Sequence, residues 1–390
     1  MSLEQRAALA DLPPTRAVAL YVPVLDRGGA EAVMLRLATG FARRGIHTWL
    51  VVHDRAGALL PDVPAGVQVV DLRVPARRAL LSANLGAIRP LGDFLRQHQP
   101  DVLITPFPHA NLVALAARRL AGARTRVVVS EHSPLDRALG NHRRWRRVVL
   151  QALIGRYYPR AAAVVAVSEG VKRSLVDLGV PGERIHVLPN PVLPDDFWHV
   201  AAEPVEHPWF GDRSRPVVIG VGRLDPVKDF ATLVRAFARI RQETGSRLVL
   251  VGEGQERPAL EGLVAELALA DDVWLAGFQA KPAALLAKSQ VLVSSSRFEG
   301  APLVVVEALA CGCPVVATNN PGSSEMLEDG RYARMVPVGD PEAMAHAIRD
   351  VLRSPPATGP GVQHAAQFTV HHSVDRYLAL FAGLHRAHGG

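Results

Sequence analysis

Short apolar runs alternate with longer segments of helical periodicity through most of the chain. In the first half, the runs that we predict as strands include RAVALYVPV (16–24), HTWLVVHD (47–54) and DVLITPF (101–107). The segment AEAVMLRLATGFARRG (30–45) carries apolar residues at helical spacing and ends at Gly45, which suits a helix stop. Because strands that alternate with helices form parallel sheets covered on both faces, this half predicts a doubly wound α/β domain.

A second alternating set begins at residue 217. Its strand-like runs include VVIGVG (217–222), RLVLVGEG (247–254) and VLVSSS (291–296), with helical segments between them. Residues 188–216, which precede this set, are rich in proline, acidic and aromatic residues, and we predict a linker there. The chain therefore predicts two Rossmann-like domains with a cleft between them.

The predicted domain boundaries are 1–195 for the first domain and 196–372 for the second. The last segment, 373–390, is predicted as a helix that can pack against either domain, and crossing back to the first is the option we adopt. Ligands of doubly wound sheets bind beyond the carboxyl ends of the strands, where loops lead into helix N-termini. Functional residues are therefore expected in the strand-to-helix loops.

The composition narrows the class of protein. The chain has 390 residues, of which 48% are hydrophobic and 21% charged, and its net charge is +7. Its start carries acids and prolines unlike a signal peptide, and no apolar run reaches the roughly 18–20 residues that span a bilayer. We expect a cytoplasmic protein, peripheral at most on the inner face of the membrane. The positive charge suits phosphorylated substrates or anionic lipid, whereas the lack of a Cys/His finger or an aromatic RNA-binding signature argues against nucleic acid.

The two cysteines, Cys311 and Cys313, are separated only by Gly312. This spacing fits neither a redox pair nor zinc ligation, so we expect small buried residues beside a helix end. No D-x-D motif stands at a predicted strand end, and we expect neither a metal nor another cofactor.

Two acidic residues in SRFEGAPLVVVEALACG (296–312) stand in unusual positions. Glu299 is predicted in a loop after a strand, and Glu307 lies about five residues into a helix that Pro302 starts and Gly312 ends. A carboxylate among valines and alanines is costly to bury without a partner. The pair suits two hydroxyl-bearing parts of one extended ligand. The alternative is that Glu299 caps a helix and that Glu307 is a buried acid paired with an arginine.

Two cations occupy the first strand-to-helix loop of the second domain, GVGRLDPVKDF (220–230). Arg223 and Lys228 are predicted at the same end of the sheet as Glu299. Two cations near helix N-termini form a site for a diphosphate, although a solvated basic pair is the common alternative.

Gly28 and Gly29 follow the first strand of the first domain. Glycines at this place allow a phosphate or a sugar to approach the backbone closely. A Gly-Gly turn is commonplace, however, and the chain contains neither a G-x-G-x-x-G motif for a dinucleotide nor a P-loop.

Taken in order, these loops resemble a known family. The Gly-Gly loop is followed by SEHS, VAVSEGVKRSL, VLPNPV, VGRLDPVKDF, LVLVGEG, WLAGF, SRFEGAPLVVVEALACGCPVVATN and GSSEML. Together they resemble the retaining, nucleotide-sugar-dependent glycosyltransferases of family 4 (group 1), which have the GT-B fold. The E-x7-E element combined with the Gly-Arg…Lys loop is the specific part, and the resemblance runs from about residue 18 to the C-terminus.

The resemblance implies an architecture and a reaction. Residues 1–195 would bind the acceptor and residues 196–372 the nucleotide sugar. The enzyme would transfer a sugar from a UDP- or GDP-sugar to a hydroxyl of the acceptor, with retained anomeric configuration and no metal. The acceptor would be a carbohydrate, such as a lipid-linked sugar or a growing surface polysaccharide.

The resemblance also assigns roles to single residues. Glu307 would bind the ribose hydroxyls and Glu299 the hydroxyls of the transferred sugar. Arg223 and Lys228 would neutralise the departing diphosphate, and His132 matches a histidine that lines the donor-sugar pocket. The other donor contacts would come from Gly28, Gly29, Gly277, Phe278, Gly300, Ala301, Pro302 and Leu303. The family often has an aromatic residue where this chain has Ala301, which leaves the size of the pocket open.

A basic amphipathic segment, NHRRWRRVVLQALIGRYYPR (141–160), lies in the first domain. Its apolar residues, Val148 and Leu153 among them, share one helical face, and its arginines lie largely elsewhere. Two alternatives stay open: the apolar face packs into the domain, or the helix lies on an anionic membrane. In the second case, the arginines that meet lipid phosphates would be Arg143, Arg144 and Arg147.

Other functions fit the same fold. A sugar-nucleotide epimerase is one alternative, although the spacing of Glu299 and Glu307 matches transferases better. An inactive binding protein is another, but it would have no reason to keep both acids together with Arg223 and Lys228. His109 and Asn111, which follow a strand of the first domain, would contact the acceptor or stabilise a turn.

Overall fold

The computed structural model describes residues 15–26, 28–74, 80–133, 144–212, 214–279 and 281–386. The chain divides into two compact units, one formed by Met1–Pro191 with Val370–Gly390 and the other by Val192–Thr369. Each unit has a parallel sheet, so the predicted α/β class with two doubly wound domains is confirmed. The division falls after Pro191. The boundary predicted from the sequence lies four residues later, after residue 195.

Seven parallel strands form the sheet of the first unit, in the order β3-β2-β1-β4-β5-β6-β7. Leu20 pairs with Leu50 on one side and with Ile104 on the other, and all three side chains are fully buried. Such continuous apolar strands are typical of parallel sheets that helices cover on both faces. The strands are β1 (Ala17–Tyr21), β2 (His47–Val52), β3 (Val67–Asp71), β4 (Val102–Pro106), β5 (Arg126–Glu131), β6 (Ala163–Ala166) and β7 (Ile185–Val187).

The helices of the first unit cover this sheet. They are α1 (Gly29–Arg43), α2 (Leu80–His98), α3 (Pro108–Ala121), α4 (Arg144–Tyr157), α5 (Glu169–Val176) and the C-terminal helix (Val370–Arg386). The C-terminal helix packs on α1, where the Phe41 ring lies 6.3 Å from the Tyr377 ring and 5.9 Å from the Phe381 ring, between centroids. The last segment of the chain therefore contributes to the core of the first unit.

The sheet of the second unit has six parallel strands in the order β10-β9-β8-β11-β12-β13. They are β8 (Val217–Val221), β9 (Arg247–Val251), β10 (Val273–Gly277), β11 (Val291–Ser294), β12 (Val315–Thr318) and β13 (Arg334–Val336). The strand order reverses at β8, which lies between β9 and β11. Ligands of doubly wound sheets bind at such a switch point, beyond the carboxyl ends of the strands.

Nine helices are described in the second unit. They are α6 (Phe197–Ala202), α7 (Pro208–Gly211), α8 (Phe230–Thr244), α9 (Arg257–Glu266), α10 (Ala283–Leu286), α11 (Leu303–Ala310), α12 (Pro321–Met326), α13 (Pro341–Arg353) and α14 (Gly359–Ala365).

The predicted linker over residues 188–216 contains the division after Pro191, but most of this segment is packed secondary structure. The segment contains α6 and α7, and Phe197 and Val200 are buried in the core of the second unit. These apolar residues, three positions apart, lie on one face of a short helix, while Pro208 starts the next one. The prolines of this segment therefore lie in packed secondary structure and its turns, not in an extended linker.

Helix α4 presents a different face to the core from the one expected. Ile154 in this helix and Tyr158, the residue after its end, are fully buried, whereas Val148 is 58% and Val149 49% exposed. Leu153, on the same predicted apolar face, is also exposed. Of the two alternatives left open by the sequence, packing of that face into the domain is therefore wrong.

The cysteines lie where the sequence placed them, beside the end of α11. Burial raises the pKa of both Cys311 and Cys313 to about 12, so both side chains stay protonated thiols at neutral pH. Among the residues that the structure describes, no helix is both long and apolar enough to cross a membrane.

Candidate functional site

The loops after β8 and β11 bring Lys228 and Glu299 together at the switch point of the second sheet. The Lys228 ammonium group forms an ion pair with Glu299 Oε1, and both side chains are mostly withdrawn from solvent. Ser296 Oγ donates a hydrogen bond of 2.6 Å to the same oxygen. A charge-assisted bond of this kind fixes both side chains, so a cation and a carboxylate stand side by side where a ligand is expected.

Glycines allow the Lys228 side chain and the neighbouring loops to pack closely. The lysine stem passes over Gly222, where an added Cβ would lie 3.2 Å from Lys228 Cε. A Cβ on Gly252 would lie only 1.9 Å from the Gly222 carbonyl oxygen, and one on Gly254 would lie 2.2 Å from the Leu224 carbonyl oxygen. The two glycines of the Gly-Glu-Gly element (252–254) therefore allow this segment to pack directly against the loop that carries Lys228.

Arg223 lies in the same loop but reaches into solvent. Its side chain is 78% exposed, and Arg223 Nε donates to Asp225 Oδ2 at 2.7 Å. The other oxygen of Asp225 accepts hydrogen bonds from the backbone N–H groups of Val227 and Lys228, at 3.1 Å each. Sequence reasoning missed Asp225, which shapes the turn between the two cations. An exposed ion pair is weak, so Arg223 can exchange this partner for an incoming anion.

Asn320 was also missed, and it clamps the loop of Glu299. Its Oδ1 accepts from the backbone N–H groups of Glu299 and Ser323, at 3.1 Å each, while its Nδ2 donates to the Ser296 carbonyl oxygen at 3.2 Å. Asn320 is the N-cap of α12, which the Asn-Pro pair signals in the sequence. Gly322 then lets α12 approach, because a Cβ there would lie 2.3 Å from the Glu299 carbonyl oxygen.

Glu307 is the fifth residue of α11. The helix begins at Leu303 with Pro302 as its N-cap, one residue later than predicted, and Gly312 follows its end with a φ of 68°. Glu307 is half-buried and lies close enough to Cys311 for its charge to help raise the pKa of that thiol.

The other predicted donor contacts lie at the same edge of this sheet. Gly300, Ala301 and Leu303 are half-buried at the start of α11, where the first backbone N–H groups of a helix lack helical partners. Gly277 ends β10 with a φ of 70°, and Phe278 after it is exposed.

In the first unit, His132 follows β5 and is held by two side chains. Its Nε2 lies 3.0 Å from Ser130 Oγ and its Nδ1 lies 3.1 Å from Asn190 Oδ1. Burial lowers the pKa of His132 to about 4, so the imidazole is neutral at pH 7. Both ring nitrogens of His132 thus have side-chain partners within the first unit. Its contact with the donor sugar stays a prediction.

Gly28 and Gly29 lie at the N-terminus of α1, as the sequence predicted; the Glu31 side chain covers Gly28, whereas Gly29 is exposed. A Cβ on Gly28 would lie 2.1 Å from Glu31 Oε2. Burial raises the pKa of Glu31, and the carboxylate bonds its own backbone N–H. The carboxylate thus occupies the place where an anion would bind. Sequence reasoning missed this residue, although an acid in the first turn is a usual signal for a helix start.

A fully buried polar cluster lies beside the end of β5. Asn111 Nδ2 donates to Glu131 Oε1 at 2.9 Å and contacts Tyr158 Oη at 2.8 Å, and the tyrosine also bonds Glu131. Burial raises the pKa of Glu131 to about 8, although these hydrogen bonds lower it. The suggestion that Asn111 contacts an acceptor is therefore wrong, because the residue has no exposed surface.

The buried carboxyl of Glu131 makes stability depend on pH. The pKa of Glu131 rises from 4.5 to about 8 on folding. Its contribution to the free energy of unfolding is therefore fully present below pH 4.5 and is lost as the pH rises through 8. Glu131→Gln keeps an acceptor oxygen but cannot ionise. We therefore expect the free energy of unfolding of this variant, measured in urea, to increase relative to that of the wild type by a few kcal/mol as the pH is raised from about 5 to about 9. Glu183→Gln, at an exposed carboxylate, is the control, and parallel pH profiles for Glu131→Gln and the wild type would contradict this account.

Two doubly wound parallel sheets, with a cation and a carboxylate at the switch point of the second, are the arrangement expected of a GT-B glycosyltransferase. The Glycosyltransferase Family 4 model matches residues 27–196, and the Glycosyl transferases group 1 model matches residues 215–354. The chain belongs to this family of glycosyltransferases, as the sequence predicted.

Curated relatives agree with this assignment, and a solved structure shares the fold. The chain is 31% identical over 338 residues, 85% of this chain and 89% of the other, to the N-acetylgalactosamine-N,N'-diacetylbacillosaminyl-diphospho-undecaprenol 4-alpha-N-acetylgalactosaminyltransferase of Campylobacter jejuni. It is 27% identical over 366 residues, 91% of this chain and 96% of the other, to the lipopolysaccharide core biosynthesis glycosyltransferase LpsE of Rhizobium meliloti. The crystal structure of HepE from Anabaena in complex with UDP superimposes with a TM-score of 0.73 at 20% identity, covering 93% of this chain and 98% of that one.

Proposed function

We propose that this glycosyltransferase moves a sugar from a UDP- or GDP-sugar to a hydroxyl of an acceptor, retaining the anomeric configuration and using no metal. The observation that carries the proposal is the pairing of Lys228 with Glu299 at the switch point of the second sheet. A donor of this kind has a diphosphate, which needs positive charge, beside a sugar, whose hydroxyls need acceptors. The pair supplies both within one loop cluster.

The reaction requires stabilisation of the leaving group. As the bond from the anomeric carbon to the phosphate oxygen breaks, negative charge develops on the diphosphate. The Lys228 ammonium is held at that place by Glu299, whose carboxylate is fixed in turn by Ser296, so little reorganisation is needed. The exposed guanidinium of Arg223 adds a second cation. The acceptor hydroxyl attacks the same face of the sugar, and its proton passes to the departing phosphate.

The acceptor proposed is a lipid-linked sugar or a surface polysaccharide. In support, the Campylobacter relative is named for a diphospho-undecaprenol substrate, and the Rhizobium relative for lipopolysaccharide core biosynthesis. An enzyme with such an acceptor works at the inner face of the membrane. Arg147 of α4 belongs to the arginines predicted to meet lipid, whereas Arg143 and the side chain of Arg144 lie outside the described part of the chain.

The test is release of nucleoside diphosphate from UDP- and GDP-sugars with and without a lipid-linked acceptor. A transferase releases the diphosphate in proportion to product when the acceptor is supplied. An epimerase converts the donor sugar without an acceptor, and an inactive binding protein does neither, so either of these results would overturn the proposal.

Glu307 provides a test of donor binding alone. A nucleotide sugar that binds the folded state raises the melting temperature by mass action. We expect Glu307→Ala to abolish this shift, because its carboxylate is proposed to hold the ribose hydroxyls. Glu266→Ala, at an exposed acid of α9, should keep the full shift. An undiminished shift in Glu307→Ala would contradict the ribose assignment.

A further inference from the structure

Three buried polar side chains connect His132 to the rest of the first unit. Ser130 is fully buried, Tyr377 is 2% exposed and Asn190 is 8% exposed. They come from β5, the C-terminal helix and the segment after β7, respectively. A buried polar group is costly without a partner, so the hydrogen bonds among these side chains determine how the histidine is held.

The C-terminal helix reaches His132 through a single serine. The Tyr377 hydroxyl forms a hydrogen bond with the Ser130 side chain, and Ser130 Oγ lies 3.0 Å from His132 Nε2. Burial raises the pKa of Tyr377 to about 12, although its bond to Ser130 lowers it, so the tyrosine stays neutral at ordinary pH. The last helix is therefore bonded to the strand end that carries His132, besides covering the sheet.

Asn190 determines which nitrogen of the His132 ring carries the proton. Asn190 Oδ1 lies 3.1 Å from His132 Nδ1 and can only accept a hydrogen bond, so Nδ1 is the protonated nitrogen. His132 Nε2 is then bare and accepts from the Ser130 hydroxyl, whose oxygen accepts in turn from Tyr377. A single neutral tautomer of the imidazole thus satisfies every group in the chain of hydrogen bonds.

The residues around the ring leave it uncharged. Burial lowers the pKa of His132 to about 4, and the bond to Asn190 raises it only in part. The titratable residues in contact with this network are Tyr377 and Glu131, which precedes the histidine in the chain. The Glu131 carboxyl bonds Asn111 and Tyr158, and its own pKa is raised by burial.

We propose that these three residues are positioning residues for the transfer reaction, because they hold His132 as the neutral Nδ1–H tautomer beside the donor sugar. The inference rests on the proposed function, in which the donor sugar lies against this histidine. Positive charge develops on the sugar ring as the bond from the anomeric carbon to the phosphate breaks. An imidazolium there would oppose the reaction, whereas neutral partners fix the ring without the carboxylate that favours its charged form.

The first test observes the imidazole directly, without any transfer. The ring nitrogens of His132 are followed by NMR in protein labelled with ¹⁵N-histidine and are assigned from the signals lost in His132→Gln. We expect a protonated Nδ1 and a bare Nε2 from about pH 6 to about pH 8. Tyr377→Phe and Ser130→Ala should each shift the Nε2 signal, whereas Tyr157→Phe, at an exposed tyrosine, should not. A protonated Nε2 in the wild type would overturn the proposal.

Asn190→Asp tests whether the charge of the ring affects the reaction. A carboxylate beside Nδ1 favours the imidazolium and raises the pKa of His132 from about 4 to roughly 5–7. We expect kcat of this variant, relative to that of the wild type, to fall about tenfold as the pH is lowered from about 8 to about 5, because about a tenth of the rings then stay neutral. Gln242→Glu, which adds a carboxylate at an exposed position of α8, should follow the wild-type profile. A profile of Asn190→Asp parallel to the wild type, or a rise of its kcat at low pH, would contradict the role of a neutral ring.

Tyr377→Phe tests the contribution of the C-terminal helix. It removes one hydroxyl and keeps the ring that packs on Phe41 and Phe381, so the fold should be retained. We expect kcat to fall about fivefold with an unchanged KM for the acceptor, since one buried hydrogen bond is lost. Ser130→Ala interrupts the same chain of bonds and should lower kcat in the same direction, so it decides the matter if Tyr377→Phe does not fold. A wild-type kcat in the folded variants would overturn the positioning role and leave the transferase assignment intact, whereas a wild type that releases no diphosphate would overturn the proposed function itself.

Discussion

Lys228→Met is expected to lower kcat/KM for sugar transfer by about 10²–10³-fold while leaving the fold intact, since removal of one preorganised charge-stabilising donor has an effect of this size. Methionine keeps an unbranched apolar stem, so packing over Gly222 is maintained while the positive charge is lost. Glu299 would lose its ion-pair partner but keep Ser296. The developing charge on the diphosphate would then face Arg223 alone in this loop.

The measurement is the initial rate of nucleoside-diphosphate release at several donor concentrations. Lys281→Met, at an exposed lysine of the same unit, is the control and should retain the wild-type rate. A loss confined to the KM of the donor would mean that Lys228 contributes equally to ground state and transition state. A rate within threefold of the wild type would contradict the role of Lys228 in leaving-group departure.

The sequence predicts Lys228 and Glu299 at the same place because parallel strands end at one edge of a sheet. Local signals sufficed there: an apolar run of about five residues, a loop, then a helix start. The same local signals did not predict the residue that holds the Glu299 loop in place, Asn320. Asn320 reaches Glu299 from 21 residues away in sequence, and nothing in the spacing shows that its side chain turns toward that loop.

Helix α4 shows a second limit of sequence reasoning. Its segment has apolar residues on more than one side, so periodicity alone does not decide which side is buried. The structure buries Ile154 and Tyr158, because the Tyr158 hydroxyl bonds Glu131 and Asn111 inside the first unit. The Asn111 and Tyr158 positions are 47 residues apart. Contacts of this range depend on the whole fold, and they leave Val148 and Val149 on the surface.

Gly322→Ala is expected to reduce transfer about 100-fold, because a displacement of about 1 Å at a reacting group has an effect of this size. The new methyl group would lie 2.3 Å from the Glu299 carbonyl oxygen and 3.0 Å from the Gly300 carbonyl carbon, so either α12 or the Glu299 loop must move. Both atoms that the methyl meets are backbone, which gives way less readily than the end of a flexible side chain. The effect therefore reaches Glu299 and, through its ion pair, Lys228.

Two further variants decide whether the Glu299 loop is the cause. Gly262→Ala adds a methyl group on α9 with no heavy atom within 4 Å, so it should keep full activity and stabilise the helix by about 1 kcal/mol. Asn320→Ala removes the clamp on Glu299 without introducing a clash, and its transfer rate should fall in the same direction as that of Gly322→Ala. If Gly322→Ala unfolds, Asn320→Ala still tests the clamp by itself. Full activity in Asn320→Ala, with its fold intact by circular dichroism, would show that the position of Glu299 does not depend on α12.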